Sequence, residues 1–324
     1  MSRLGAGALR SFLLVILAIL ILLAAGLFLW TRIQTSAMNT RYSPSGSTIE
    51  IGGRDIHFVD VKGSGAASLP PILFIHGASG NLLDQVGAYR EKLAGQARLI
   101  FVDRPGHGFS ERGLEKDNNL AGHAASYAGL LDELGIKEAV VVCHSMGCAS
   151  AAAMAVNHPE KIKGLVFVAP ATHPWPGGVT WYYNVAALPV IGNIFSELLA
   201  LPFGQLALNA GVEGVFSPNE APDNYAVTTA AELVLRPQEF RANARDVAGL
   251  KAEVTALQPR YKEIKKPTVV ITGNKDDVVW PEIHSIGLER DIAGAELIIL
   301  DGVGHKPDYA RTDVVIDAIK KVAR

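Results

Sequence analysis

The chemistry in this chain centres on three polar side chains set beside small residues. Ser145 lies in Cys143-His144-Ser145-Met146-Gly147, directly after the apolar run Val140-Val141-Val142 and directly before an alanine-rich stretch that reaches Val156. A serine on a tight turn between a strand and a helix is pushed clear of the sheet edge, provided its neighbours let the backbone bend sharply. The helix that follows offers unpaired N–H groups to a developing negative charge. A serine hydroxyl is a poor nucleophile alone; it needs a base, and the base needs a carboxylate to orient it. His305, in Gly302-Val303-Gly304-His305-Lys306-Pro307, is the candidate base. Asp276, in Gly273-Asn274-Lys275-Asp276-Asp277, is the candidate acid, with Asp277 as its rival. The candidate oxyanion donors are the backbone N–H groups of Met146 and of Ala78, the latter in His76-Gly77-Ala78-Ser79-Gly80. Cys143 stands where the usual G-x-S-x-G pattern has glycine, and cysteine is small enough to keep the turn.

These residues need elements to hold them, and the apolar pattern supplies a series. Ile49–Ile51 and Ile56–Val59 read as two strands joined around Gly52-Gly53-Arg54. Short β-branched runs follow at Ile72–Ile75, Leu99–Val102, Val140–Val142, Leu165–Val168, Val269–Ile271 and Leu297–Leu300. Helical stretches separate them at Leu82–Leu93, Leu120–Leu134, Met146–Val156 and Pro281–Ile292, and Asp313–Val322 closes the chain. Strands alternating with helices imply crossovers and a parallel sheet covered on both faces, an α/β class. Each candidate site residue then falls on a loop just past a strand. The rhythm breaks at Pro170: residues 171–262 carry no convincing strand and read as an inserted, mostly helical cap, leaving 48–170 and 263–324 as the core. The aromatic segment Trp175–Tyr183 carries three overlapping readings: interior of the cap, a substrate-facing wall, or a surface resting on lipid.

Upstream lies a different kind of segment. Phe12–Trp30 is nearly all Leu, Ile, Val, Ala and Phe. Nineteen helical residues rise about 28 Å, close to the hydrocarbon thickness of a bilayer. Residues 1–31 therefore read as an N-terminal tail and single transmembrane anchor, and 32–47 as a linker leaving the membrane. The rival is a cleaved signal, with a weak small-residue site at Thr35-Ser36-Ala37, although its apolar region is usually about 7–15 residues. Arg3 and Arg10 before the span nearly balance Arg32 and Arg41 after it. The short tail and long body favour a body on the non-cytoplasmic side.

Composition excludes several classes. Of 324 residues, 30 are Lys or Arg and 32 Asp or Glu, a balance without the basic surplus that nucleic-acid binding needs. A hydrophobic share of 49% against 19% charged excludes general disorder. Two cysteines make no zinc site, and across a strand–turn–helix junction the side chains of Cys143 and Cys148 should diverge rather than bond. His57, His123, His158, His173 and His284 form no metal-ligand pattern, His144 is positional, and Lys262–Lys266 is a solvated face. No glycine-rich phosphate loop is present, so neither cofactor nor metal is expected.

His76-Gly77, Asp103-Arg104-Pro105-Gly106-His107-Gly108, the serine turn, Gly273-x-x-Asp276 and Gly304-His305 occur together in one order. Over residues 48–324 the chain resembles the α/β-hydrolase-fold proteins of the serine-nucleophile, esterase- and lipase-like branch. The resemblance implies an eight-stranded, mostly parallel sheet with a cap over the serine. It also implies Ser145, Asp276 and His305 as a triad, with Ala78 and Met146 as oxyanion donors. It makes Asp103–Gly108 a structural turn and His107 part of the scaffold. The expected function is a serine hydrolase acting on a carboxylic ester or lactone of an apolar small molecule. Alternatives are a C–C bond hydrolase, thioesterase, amidase or cofactor-free perhydrolase on the same scaffold, or a non-enzymatic ligand-binding relative. Oligomeric state is left open.

Overall fold

The chain begins with an unusually long helix, α1 (Arg3–Arg41), with no proline to interrupt it. The structure, a computed structural model, describes residues 3–65 and 67–324; the first two residues of the expected tail lie outside the described residues. Its 39 residues extend about 58 Å. Leu9 to Leu29 project exposed leucines, isoleucines and phenylalanines, with nothing of the body around them. Residues 32–41, expected as a linker, instead continue the helix. Thr31 and Met38 are buried, because this stretch lies against the cap, where Met38 joins Leu201, Leu233 and Leu235 in an apolar cluster. Two ion pairs fix the contact, Arg32 with Glu197 and Arg41 with Glu232.

The core then follows as β1 (Ser47–Glu50), β2 (Asp55–Val61), β3 (Ile72–Ile75), α2 (Leu82–Tyr89), β4 (Leu99–Val102), α3 (Leu120–Glu133), β5 (Ala139–His144), α4 (Gly147–Asn157) and β6 (Ile162–Val168). Asn81 and Asn119 cap α2 and α3, their side-chain oxygens accepting from the N–H groups of Leu83 and Gly122 at 2.9 Å. The cap comprises α5 (Trp181–Ala187), α6 (Ile191–Phe195), a π-turn through Ser196–Ala200, α7 (Leu201–Phe216), α8 (Tyr225–Thr228) and the long α9 (Pro237–Leu257). The sheet resumes with β7 (Thr268–Gly273), α10 (Ser285–Asp291) and β8 (Glu296–Leu300), and α11 (Pro307–Ala310) and α12 (Thr312–Val322) end the chain.

Eight strands lie in the order β1-β2-β4-β3-β5-β6-β7-β8. β2 pairs antiparallel with β1 and β4, and every other pairing is parallel. Alternate side chains feed two cores. Leu73, Ile75, Val141, Cys143, Leu165 and Phe167 pack under α3 and α4, while Phe74, Phe101, Val142, Val166 and Ile271 pack under α2 and α12. On α12, Val315, Ile316, Ile319 and Val322 recur at helical spacing and are buried. With both faces covered, the loops at the carboxyl ends of β3, β5, β7 and β8 are left to build a site.

Candidate active site

β5 lies near the middle of the sheet, between β3 and β6. The chain leaves it through Ser145 at φ +52°, a left-handed conformation that non-glycine residues seldom adopt. Two hydrogen bonds hold the turn: Ser145 N–H donates to Val168 O at 3.0 Å, and Ala171 N–H to Ser145 O at 3.1 Å. Two glycines make room for it. A Cβ on Gly77 would come within 3.0 Å of Ser145 Cβ, and one on Gly147 would run into the His76 carbonyl.

His305 and Asp276 arrive from the loops after β8 and β7. His305 Nε2 lies 3.0 Å from Ser145 Oγ, and His305 Nδ1 lies 2.8 Å from Asp276 Oδ2. The other Asp276 oxygen accepts from the N–H groups of Val278 and Val279 at 2.9 and 2.8 Å. Asp277 points into solvent. All three partners are buried, with Ser145 7% exposed. Carboxylate, imidazole and hydroxyl thus form one unbroken hydrogen-bonded line, an arrangement able to strip a proton from the serine.

Ala78 and Met146, expected as oxyanion donors, meet in one apolar cluster with Ala149, Ala171, Leu250 and Val254. Among the described residues no protein group accepts from either amide. Met146 stands at the start of α4, where N–H groups are unpaired. His76 holds the Ala78 loop: its Nε2 accepts from Arg104 N–H at 3.0 Å, and its Nδ1 donates to Gly77 O at 2.9 Å. Burial lowers its pKa to about 4, so the ring is neutral and suited to both roles. The cap grips the same loop. Asn243 on α9 accepts from Ser79 N–H at 2.8 Å and donates to Ser79 Oγ at 3.0 Å. Tyr183 Oη lies 3.2 Å from Ser79 Oγ.

Other sequence expectations divide. The Asp103–Gly108 turn is scaffold: Asp103 accepts from Leu82 N–H at 2.7 Å and Phe109 N–H at 3.0 Å, and lies 2.7 Å from His57 Nδ1. His107 is buried within it. The expected divergence of Cys143 and Cys148 is wrong. The sharp turn brings the first residues of α4 back over the end of β5, the two Cα atoms are 4.9 Å apart, and the sulfurs form a disulfide. His144 turns out to hold the candidate base directly, its Nε2–H donating to His305 O at 2.9 Å.

Behind His305 is a buried charge cluster that sequence reasoning missed. The Lys306 ammonium donates to both Asp84 oxygens at 2.9 and 3.0 Å and to Asp308 Oδ2 at 3.0 Å. Burial alone would raise the Asp84 carboxyl, but Lys306 outweighs it and holds the group at about 2. Asp84, Asp308 and His144 lie close enough together to suggest a metal site, yet the ammonium already bridges the two carboxylates. A lysine immediately after the base and an aspartate two residues further on were the available signal.

The sequence pattern of the alpha/beta hydrolase fold matches residues 70–307. An uncharacterised protein of Mycobacterium tuberculosis is 29% identical over 267 residues, covering 79% of this chain and 76% of its own. Lipase 3 of a Moraxella species is 28% identical over 261 residues, covering 78% and 75%. Among solved structures, the enol-lactonase of Burkholderia xenovorans superposes with a TM-score of 0.69 at 21% identity, over 85% of this chain and all of its own. The pattern spans most of the chain and the relatives share its architecture, and on that ground the chain belongs to the alpha/beta hydrolase fold family and is a hydrolase.

Proposed function

We propose that the chain is a serine esterase that cleaves a carboxylic ester or lactone of an apolar substrate. The observation that carries this reading is the unbroken line from Asp276 through His305 to Ser145 Oγ, at 2.8 and 3.0 Å. Ser145 Oγ attacks the carbonyl carbon while His305 Nε2 takes its proton, and Asp276 stabilises the imidazolium. The carbonyl oxygen becomes an oxyanion held by the Ala78 and Met146 N–H groups. His305 returns the proton to the leaving oxygen, the ester C–O bond breaks, and water releases the acyl group by the same steps in reverse. The apolar surroundings of Met146, with Leu120, Val247, Leu250, Val254 and Trp175, suit an apolar acyl or alcohol portion. The lipase and the lactonase among the relatives carry names of the same kind.

The same reading takes α1 as a retained single membrane span over residues 12–30, with the catalytic body on the non-cytoplasmic side. The mean hydropathy of 3.3 over its most apolar 18 residues and its bare apolar surface support a span. Removal after Ala37 would delete Thr31 and Arg32, which are fastened to the cap, and this favours retention.

The test is a graded series of chromogenic acyl esters assayed with the full chain and with Ser145→Ala. The expected result is hydrolysis peaking at one chain length and falling by about 10⁴-fold or more in the variant. Activity that survives in Ser145→Ala overturns the mechanism, and activity confined to short charged acyl groups overturns the apolar substrate.

A further inference from the structure

We propose that the cap edge formed by Leu188–Ile194, with Trp181 beside it, is a lipid-docking surface that lies in the interface of the bilayer crossed by α1. The proposal rests on the reading of α1 as a membrane span, and it makes the substrate an ester dissolved in that bilayer.

Contacts along α1 give a scale of height above the membrane. Arg32 is two residues beyond Trp30, about 3 Å of helical rise, and it pairs with Glu197 at 2.8 Å. Met38 is eight residues beyond Trp30, about 12 Å, and it packs with Leu201 and Leu233. Passing along the cap from Glu197 to Leu201 therefore leads away from the bilayer. Passing backward from Glu197 leads toward it. Ile194, Ile191 and Val190 lie three to seven residues back, a further 4–10 Å or so of helical rise. That carries them to the level of the last turns of the apolar span.

The side chains at that level are those an interface accepts. Val190 is 70% exposed, Ile191 57% and Ile194 56%, and Trp181, 65% exposed, stands edge-on to Phe195 with ring centres 6.1 Å apart. Exposed apolar residues gathered in one stretch mark an interaction surface, and a tryptophan suits the headgroup level. From Gly164 through Ser196 the sequence holds no Asp, Glu, Lys or Arg; the next charge is Glu197, which meets Arg32. The edge is also fixed in place, since Arg241 on α9 donates to Pro189 O at 2.9 Å. Residues 191–216 are long and apolar enough to cross a membrane themselves, but Leu201 packs on Met38 and Leu235, so this segment rests on the body. Along α5 the surface connects inward within one turn: Trp181 faces out, and Tyr183 reaches Ser79 of the oxyanion loop.

The experiment uses the full chain in phosphatidylcholine vesicles, carrying one environment-sensitive fluorophore on Ile21→Cys, Ile194→Cys or Ile299→Cys. Cys143 and Cys148 are buried and bonded to each other, so the added cysteine takes the label. The expected result is strong quenching of the Ile194 label by lipids spin-labelled near the headgroup. The Ile21 label is quenched by deep spin labels, and the label at Ile299, on the far edge strand, by neither. An Ile194 label open to aqueous iodide while the Ile21 label is quenched overturns the docking surface and leaves the span standing. An unquenched Ile21 label overturns the span itself. An Ile194 label shielded from both lipid and iodide, in a concentration-dependent way, assigns the edge to a second copy and overturns the proposal. In a second arm, Ile191→Glu with Ile194→Glu cuts hydrolysis of a long-chain ester in the vesicles by about tenfold or more, because carboxylates resist entry to the interface. Hydrolysis of a short water-soluble ester stays unchanged; equal effects on both substrates overturn the proposal.

Discussion

A left-handed backbone at Ser145, φ +52°, costs a non-glycine residue of order 1 kcal/mol or more. Two hydrogen bonds and two close-approach glycines hold it, and in return the hydroxyl meets His305 Nε2. At the same scale the surroundings separate the two candidate acids. Asp276 is buried and accepts two backbone N–H groups besides facing His305, whereas adjacent Asp277 is exposed. Asp276→Asn should cut kcat by about 10⁴-fold, since the imidazole loses its orienting carboxylate. Asp277→Asn should leave kcat unchanged; steady-state kinetics on the best acyl ester checks both. The placing of Ser145 and His305 just past strand ends was legible because each sits in a local pattern, a strand followed by small residues and a turn. The choice between Asp276 and Asp277 was not, because both follow the same strand and only tertiary burial separates them. Lys306 was missed, and the partner of His144, read as positional, was not foreseen, for a related reason: Asp84 and His305 O lie 222 and 161 residues away in the sequence.

At the scale of elements, α9 is the piece that ties the cap to the loop carrying Ala78, the proposed oxyanion donor. Its Asn243 makes two hydrogen bonds to Ser79, next to Ala78, and its Asp246 pairs with buried Arg104 at 2.8 Å. Asn243→Ala should loosen the Ala78 amide and lower kcat by about ten- to a hundredfold, below the cost of deleting an oxyanion donor outright. KM should change little, and Asn243→Asp, which keeps the acceptor for Ser79 N–H, should recover part of the loss. The inner strands β3 to β7 were readable from short apolar runs, since a strand covered on both faces needs apolar residues at every position, whereas the edge strands β1 and β8 are mostly exposed or half-buried. The C-terminal end of α1 was misread because Thr, Ser and Asn between residues 31 and 41 look like a solvated tether. Helix persists there because no glycine or proline intervenes before Pro44 and because Met38 finds an apolar seat on the cap. The disulfide was misjudged by treating Cys143 and Cys148 as if strand and helix diverged, when the turn folds one over the other.

For the whole molecule, buried histidines set the response to acid. Burial holds His76 and His284 at about 4 and His123 at about 3, against 6.5 for the free ring. Between those values the unfolded chain binds protons that the folded chain refuses, so stability falls as pH drops from about 6.5 toward 4. Glu239 works the other way: burial raises it to about 7 despite Arg236, so protonation favours the fold as pH drops toward 4.5. Asp84 and Asp246, both held near 2, lose their contribution only below about 3.8. With His76, His107, His123, His144, His173 and His284 all held below the free ring against Glu239, Glu253 and Asp308 held up, the melting temperature should decrease steadily from pH 7 to pH 5, and His123→Gln should flatten that slope in a thermal scan. A flat profile in the parent protein would contradict the buried neutral rings.

The unbroken course of α1 has a mechanical consequence. On the proposed reading of residues 12–30 as a membrane span, that stretch and the seat of Met38 on the cap share one continuous helix, with Met38 eight residues, about 12 Å, beyond Trp30. Each residue inserted between them would raise the body by about 1.5 Å and turn it by about 100° about the helix. A single insertion would swing Met38 off its seat, while three or four would return it to nearly the same face one turn higher. For the span proposed above, the distance between the body and the bilayer is a count of residues, open to resetting in whole turns.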